Sequence, residues 1–450
     1  MTKPRTIRRL FIANRGEIAV RIIHTCERLG IESILGASDA DLHSTAARLA
    51  DRTICIGPAA ATASYLNIPA IMDAARASEA DAIHPGYGFL SENAALARAC
   101  RKAGIVFIGP TEEHLTAVGD KLEAREHAVA AGIPVIPGGS IASMSEAQSL
   151  AQQLSYPVLI KAVGGGGGRG MKQVHEASQL LASLELAGAE ANSAFGDARV
   201  YLERFIACGR HVEVQLLGDG ERVIHLGTRD CSVQRRHQKL IEEAPAPDLS
   251  DSLRDAIHEA AVRFGMRLRY RGAGTVEFLV DRAHEEFYFL EVNPRIQVEH
   301  PVTEVVSRAD IVAEQIAIAE QRPLTLRQAD IRIQGHAMEC RINAENVSRD
   351  FCPSPGTVSV AAFPVGEHIR VDTHIEPGVD VPPFYDSLLA KIIAYGDDRA
   401  ACREQMQAAL GDCRIEGVHT NLALHAALIR HPEFVRGGVD TSFLERAALT

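Results

Sequence analysis

No stretch of this chain is long and apolar enough to cross a bilayer, which excludes a helical membrane protein. There is no surplus of cations either. The formal net charge of -11 argues against a nucleic-acid binder. Nine cysteines are scattered without any Cys-x-x-Cys pair, a pattern expected of reduced thiols in the cytosol. No signal-type apolar core precedes the strand-like segment reached by Leu10. Arg5, Arg8 and Arg9 have the charge of a transit peptide, but the stretch is too short to be one. Together these absences predict a cytoplasmic protein. Two phosphate-binding signatures are also missing: a Walker A Gly-Lys-Ser/Thr, and a Gly-x-Gly-x-x-Gly after the first strand.

What remains is an ordinary globular composition. The 450 residues suggest about three domains, and an apolar fraction of 46% is enough for large cores. The first part alternates strand and helix patterns: strand Leu10 to Asn14, helix Glu17 to Leu29, strand Ile31 to Ala37, then strands at Ile54 to Ile56, Ala80 to His84 and Ile105 to Ile108. Helices fall near Ile68 to Ala77 and Asn93 to Ala103. In the first helix Ile18, Ile22, Cys26 and Leu29 fall at helical spacing. The expected fold class is α/β, in parts α+β, opening with a doubly wound parallel sheet. The expected divisions are 1–115, 116–320 with a small αβ lid at about 134–206, and 331–450. His84 to Asn93 follows a strand end, where such sheets hold ligands. It reads equally as a capped turn before a helix or as a ligand-binding loop through Tyr87.

Glu291-Val292-Asn293-Pro294-Arg295-Ile296-Gln297-Val298-Glu299 alternates polar and apolar residues. In an extended chain its polar groups share one face. Such alternation usually means a half-buried strand with a solvated side. The preceding residues read as a hairpin that sets Glu277 nearly opposite Glu291. Like charges facing across strands are destabilising, unless a hard cation lies between them. Mg2+ takes carboxylate and amide oxygens together with nucleotide phosphates. The ribbon therefore predicts a magnesium–nucleotide site at Glu277, Glu291 and Asn293.

A strand at Tyr156 to Val163 runs into five consecutive glycines, Gly164 to Gly168. Such a run is entropically costly to order and leaves its backbone open to a ligand. It predicts a flap closing over phosphates, with Lys161 as a phosphate partner. Arg229 to Lys239 has no regular apolar period and is expected to be a loop. A cluster of cations in an acidic chain points to an anion site. Cys231 within it is assigned a structural role.

Five motifs in one order carry a resemblance: Ile12-Ala13-Asn14-Arg15-Gly16-Glu17-Ile18-Ala19, His84 to Asn93, the Lys161 glycine loop, Gln234-Arg235-Arg236-His237-Gln238-Lys239, and Glu291 to Glu299. They resemble biotin carboxylase, the ATP-grasp component of biotin-dependent carboxylases, from about Ile7 to the C-terminal region. The resemblance implies an N-terminal Rossmann-like domain, a central ATP-grasp region with a mobile glycine-rich lid, and a C-terminal mixed α/β biotin carboxylase domain. It implies ATP-dependent carboxylation of biotin from bicarbonate through carboxyphosphate.

Under that resemblance Glu299 is the base, and Lys239 and Arg295 hold bicarbonate with Gln297 and the Val298 backbone. Mg2+, or Mn2+, sits on Glu277 and Glu291. Lys121, Lys161, Gly167, Gly168, His211, Gln234 and His237 contact ATP. Glu203, Arg204, Phe205 and Ile206 hold the adenine, and Arg341 stabilises the biotin anion. By sequence pattern alone, Arg341 reads as a surface partner of Glu339, and His211 as a structural histidine.

No Ala-Met-Lys-Met-like segment is present, so biotin is expected on a separate carrier protein, with carboxyltransferase subunits reading the acyl-CoA, as in acetyl-CoA carboxylase of fatty acid biosynthesis. A homodimer is implied by the resemblance. Cys352, before Pro353-Ser354-Pro355, has no account in this pattern. The alternatives are another ATP-grasp ligase that forms an acyl phosphate, and a catalytically silent scaffold subunit.

Overall fold

Leu10 and Ile12 are buried on one side of the first strand and Phe11 and Ala13 on the other, so this strand has no solvated face. A strand buried on both sides belongs inside a parallel sheet covered by helices. The computed structural model, which describes residues 6–164 and 171–447, places it there. Five parallel strands run in the order Arg52–Gly57, Glu32–Ser38, Arg9–Ile12, Ala82–His84, Val106–Phe107. The helix Gly16–Leu29 buries Ile18, Ile22 and Cys26. Leu29, expected on the same stripe, is exposed in the last turn, where Gly30 at φ 68° caps the helix and redirects the chain.

The strand order reverses between Arg9–Ile12 and Ala82–His84, and ligands of open α/β sheets bind at such a switch point. Asn14, just past the first of these strands, donates to the carbonyls of Pro85 at 2.6 Å and Tyr87 at 2.7 Å. Gly86, at φ 61°, lets the loop turn so close that a Cβ there would stand 2.9 Å from the Asn14 amide. Asn93 caps the following helix, Ala94–Ala103, by accepting from two backbone amides. This loop is therefore a capped turn held over the sheet.

The central region has two sheets. A four-stranded antiparallel one orders Gly138–Ser140, Val200–Arg204, Val158–Ala162 and Lys172–Val174. Helices Met144–Leu154 and Leu180–Phe195 accompany it, and the strands and helices share a small core of their own. All of the glycine flap beyond Gly164, including Gly167 and Gly168, lies outside the described residues.

The second sheet has eight antiparallel strands: Glu286–Asn293, Arg271–Asp281, Gly209–Asp219, Val223–Arg235, Gln238–Ala244, His336–Asn343, Leu388–Gly396 and Ile369–Thr373. The last three come from beyond residue 330, so the C-terminal part of the chain continues the central sheet edge to edge.

Two further expectations of local structure need correction. Arg229 to Lys239 is not a loop but a tight hairpin between Val223–Arg235 and Gln238–Ala244. Register shifts between Asp230 and Val233, and between Val233 and Gln234, interrupt the alternation that would have marked a strand. The ribbon of Glu291 also stops early. Its strand ends at Asn293; Pro294 to Val298 is irregular, and Glu299 is the N-cap of helix His300–Ser307. Pro294 lacks the N–H that would continue the ladder.

Glu243, buried in the large sheet, fastens the helix Arg399–Asp412 over it. Its carboxylate accepts from Arg399 Nε at 2.6 Å and Nη2 at 2.9 Å and lies 2.9 Å from His336 Nε2. Burial alone would raise this carboxyl, but His336 and Arg399 hold it down to about 2. A lowered folded-state value means stability that is present above the unfolded value near 4.5 and lost as pH falls toward 2. Glu243→Gln is expected to flatten the unfolding free energy between these limits, by up to about 3 kcal/mol. Urea titrations at a series of acid pH values test it, and an unchanged slope would remove Glu243 as the cause.

Candidate active site

The hairpin turn at Arg236 and His237 has φ of 47° and 67°, a left-handed pair that suits a two-residue hairpin but is strained for side chains other than glycine. Asp350 holds this turn in place, accepting from Arg235 Nη2 at 3.2 Å and Arg236 Nη2 at 3.0 Å. The Arg235 guanidinium also lies 3.9 Å from the centre of the Phe351 ring. The turn delivers Lys239 onto the face of the sheet. There its ammonium meets Glu213 Oε2 at 2.6 Å, Glu277 Oε1 at 3.1 Å and Glu299 Oε1 at 2.5 Å.

Each carboxylate has further partners. Glu213, fully buried, accepts from Arg229 Nε at 2.5 Å. Arg229 spends its other nitrogens on Gln215, Thr303 and Thr275. Glu299 Oε2 accepts from Arg341 Nη2 at 2.9 Å, and Arg341 Nε donates to Glu242 Oε1 at 2.5 Å. Arg341 therefore joins a buried network rather than forming a surface pair with Glu339. Glu277 lies 3.0 Å from His211 Nε2 and accepts from Asn293 Nδ2 at 2.9 Å and Gln297 Nε2 at 3.2 Å. Arg295 donates to Asn293 Oδ1, Gln297 Oε1 and Glu92 Oε1. Gln234 donates to the Cys231 carbonyl and stands 2.8 Å from His211 Nδ1.

The electrostatics follow from burial set against pairing. Burial favours the neutral acid for Glu299, yet Lys239, Arg341 and Arg229 hold it well below the ordinary carboxylate range. Glu277 is also lowered, against burial, by Lys239 and His211. Burial opposes the charge on Lys239, but the surrounding acids keep it protonated. Burial lowers His237, and Lys161, His211 and Lys121 lower it further. These cations are close enough to repel one another, as at a site made for phosphates.

The remaining sequence-expected residues lie on this frame. Glu277 and Glu291 are direct cross-strand partners, as the hairpin reading required. Lys121 forms an ion pair with Glu291 at 2.9 Å. Lys161, at the end of its strand, lies 2.6 Å from Glu203, which Arg125 also contacts at 3.2 Å. Arg204, Phe205 and Ile206 are half-buried where Val200–Arg204 leaves the small sheet, and Arg204 donates to the Tyr288 hydroxyl at 2.8 Å. Tyr87 is half-buried with its hydroxyl on Glu17. Val298 is half-buried beside Glu299.

Sequence reading gave no individual role to Glu213, Arg229, Glu242 or Glu92. Glu213 had a usable signal, because His211, Glu213 and Gln215 alternate with valines as the later ribbon does. Glu277 and Glu291, facing each other across the ladder, offer carboxylate oxygens of the kind Mg2+ takes, whereas Asn293 turns its amide nitrogen toward Glu277 and its oxygen toward Arg295.

A large antiparallel sheet lined with paired carboxylates and cations, with a small lysine-bearing sheet beside it, defines an ATP-grasp ligase fold. Three family models match in chain order: the biotin carboxylase N-terminal domain over 6–115, the carbamoyl-phosphate synthase L chain ATP-binding domain over 120–327, and the biotin carboxylase C-terminal domain over 339–446. Biotin carboxylase of Pseudomonas aeruginosa is 49% identical over 98% of both chains. The biotin carboxylase–β-γ-ATP complex from Campylobacter jejuni superposes with a TM-score of 0.96 at 44% identity, covering 98% of this chain and 99% of that one. The biotin carboxylase domain dimer of Hydrogenobacter thermophilus 2-oxoglutarate carboxylase, solved with MgADP, ADP and bicarbonate, gives 0.94 at 40% identity over 98% of each. This chain belongs to the biotin carboxylase family.

Cys231 Sγ lies 3.9 Å from Glu299 Oε1, fully buried, and burial followed by Glu213 pushes its thiol well above the ordinary range. A thiol so held is a poor nucleophile. Iodoacetamide at pH 8 is expected to label exposed Cys55, Cys208 and Cys352 and to spare Cys231 in the folded protein. Peptide mass spectrometry checks this, and labelling of Cys231 at the rate of the exposed thiols would contradict the burial argument.

Proposed function

We propose that this protein carboxylates biotin, coupling ATP cleavage to bicarbonate activation, with the Lys239–Glu299–Arg341 cluster as the reaction centre. The observation that carries the reading is the double clamp on Glu299, one oxygen on Lys239 and the other on Arg341. Near it stand Arg295, the cations Lys121, Lys161 and His211, and His237, which burial and these three cations hold toward the neutral imidazole. Bicarbonate is a weak electrophile. Attack of its oxygen on the γ-phosphorus of ATP gives carboxyphosphate and ADP, and carboxyphosphate then breaks down to CO2 and phosphate. Phosphate takes the ureido proton of biotin, and the biotin nitrogen adds to CO2.

The roles follow from the contacts. Lys239 and Arg295 hold bicarbonate, and Gln297 and Val298 orient it. Glu299 takes its proton as it attacks. A carboxylate gripped by both Lys239 and Arg341 is a poor base. Bicarbonate sharing those cations draws away part of their charge and adds a negative charge nearby, and both effects raise the affinity of Glu299 for a proton. Arg341 then faces the biotin anion, with Tyr87 on the loop that lines the biotin side. Lys121, Lys161, Gly167, Gly168, His211, Gln234 and His237 contact ATP. Glu203, Arg204, Phe205 and Ile206 take the adenine. Glu277, Glu291 and Asn293 would hold Mg2+, or Mn2+, which supplies charge neutralisation to the phosphates.

The functional units are 1–115, 116–320 with the lid at about 134–206, and 331–450. Biotin arrives on a separate biotin carboxyl carrier protein, in a cytoplasmic homodimer that serves carboxyltransferase subunits. The final acceptor is acetyl-CoA or another acyl group. No helix among the described residues is long and apolar enough to cross a membrane.

Bicarbonate-dependent ATP turnover stimulated by free biotin, without an amine substrate, tests the reading; turnover that requires an amine would replace it with another ATP-grasp ligase. Glu299→Gln is expected to lower kcat by about 100-fold or more. An unchanged kcat would leave the scaffold alternative standing. Lys239→Gln is expected to raise the KM for bicarbonate more than that for ATP, and equal changes would count against its place on the anion.

A further inference from the structure

Lys391 lies within the strand Leu388–Gly396, directly opposite Arg341 in the ladder, and its side chain is fully buried. Its ammonium donates to the Val298 carbonyl at 2.9 Å. It lies 3.0 Å from Glu17 Oε2 and 3.7 Å from Asp372 Oδ2. The carbonyl it holds belongs to the peptide that joins Val298 to Glu299. Two cross-strand cations thus grip the same residue from two sides: Arg341 the carboxylate of Glu299, Lys391 the backbone leading into it. Glu17 extends the grip, because its other oxygen accepts the Tyr87 hydroxyl.

Stability does not explain a buried ammonium here. Taking a charge out of water costs several kcal/mol, and well-packed apolar side chains commonly replace buried ion pairs without loss. What an apolar side chain cannot supply is a donor for the Val298 carbonyl. We infer that Lys391 is a positioning residue that sets the backbone of Glu299 for the carboxylation proposed above, on which this inference rests. Glu17 balances its charge and ties the same ammonium to the Tyr87 loop.

The test compares Lys391→Met with the double variant Glu17→Gln/Lys391→Met, which leaves no unpaired carboxylate in place of the Glu17–Lys391 pair. Bicarbonate-dependent ATP turnover is divided by the number of sites counted in a nucleotide titration, so that a partly folded sample still gives an answer. The single variant is expected to lose both Tm and kcat. The double variant is expected to recover Tm, while kcat per site stays about tenfold or more below wild type, with the KM for ATP within about twofold. A kcat per site within about twofold of wild type in either variant overturns the assignment and leaves Lys391 a structural charge. A wild-type chain with no biotin-stimulated turnover would instead remove the function on which the inference rests.

Discussion

Lys239 brings one positive charge to three carboxylates, Glu213, Glu277 and Glu299, on a part of the sheet nearly closed to water. Left alone, such a group would neutralise by taking up protons. Arg229 behind Glu213, His211 behind Glu277 and Arg341 behind Glu299 prevent this. Each acid has a second cation; Lys239, His211 and Arg341 each meet more than one acid, and Arg229 is fixed by Glu213 together with Gln215, Thr303 and Thr275. Removing one partner of a buried pair typically costs about 3–5 kcal/mol, because the other charge is left stranded. The cluster is therefore rigid, and its rigidity dictates which strands must lie side by side.

That requirement explains the continuity of the large sheet. Glu213, Arg229, Lys239 and Glu277 come from four strands of the central region, whereas Arg341 comes from His336–Asn343, which pairs with Gln238–Ala244. If the C-terminal part were a detached body, Glu299 would keep Lys239 and lose its second clamp. Lys391 and Asp372 extend the same face by two more strands. Chemistry thus crosses the boundary at which the chain could have been divided.

Much of this was legible in the chain. The N-terminal alternation of strand and helix reads directly because buried parallel strands and amphipathic helices have different periods. The Glu277–Glu291 pairing was readable because a short polar connection sets the register of a hairpin. The Arg229 to Lys239 hairpin was not, since its register shifts spoil the period-two signal, and the tight turn carries Arg-His where glycine or asparagine would have announced it. Glu299 was expected beside Lys239 on an extended ribbon; it does meet Lys239, but from the N-cap of a helix. Alternation of residue types continues through Pro294 to Val298, but the backbone leaves the sheet there and enters a helix. Partners distant in sequence, such as Glu92 for Arg295 or Lys391 for Val298, leave no local trace at all.

The strand positions Glu242 and Glu339 face each other across their ladder, and both are fully buried. Both oxygens of Glu339 and one of Glu242 lack a hydrogen-bond partner among the described residues. Burial raises Glu242 to about 7 despite Arg341, and raises Glu339 well above the carboxylate range. A pair of facing carboxyls in this setting cannot both ionise. The proton they retain has a consequence for Arg341. Two full negative charges at Glu242 and Glu339 would neutralise its guanidinium and weaken its hold on Glu299. With Glu339 neutral, Arg341 keeps a share of its positive charge for Glu299 and for the anion it is proposed to stabilise. An acid in the core without a hydrogen-bond partner among the described residues, which stability alone would select against, thus leaves the charge of Arg341 directed toward Glu299.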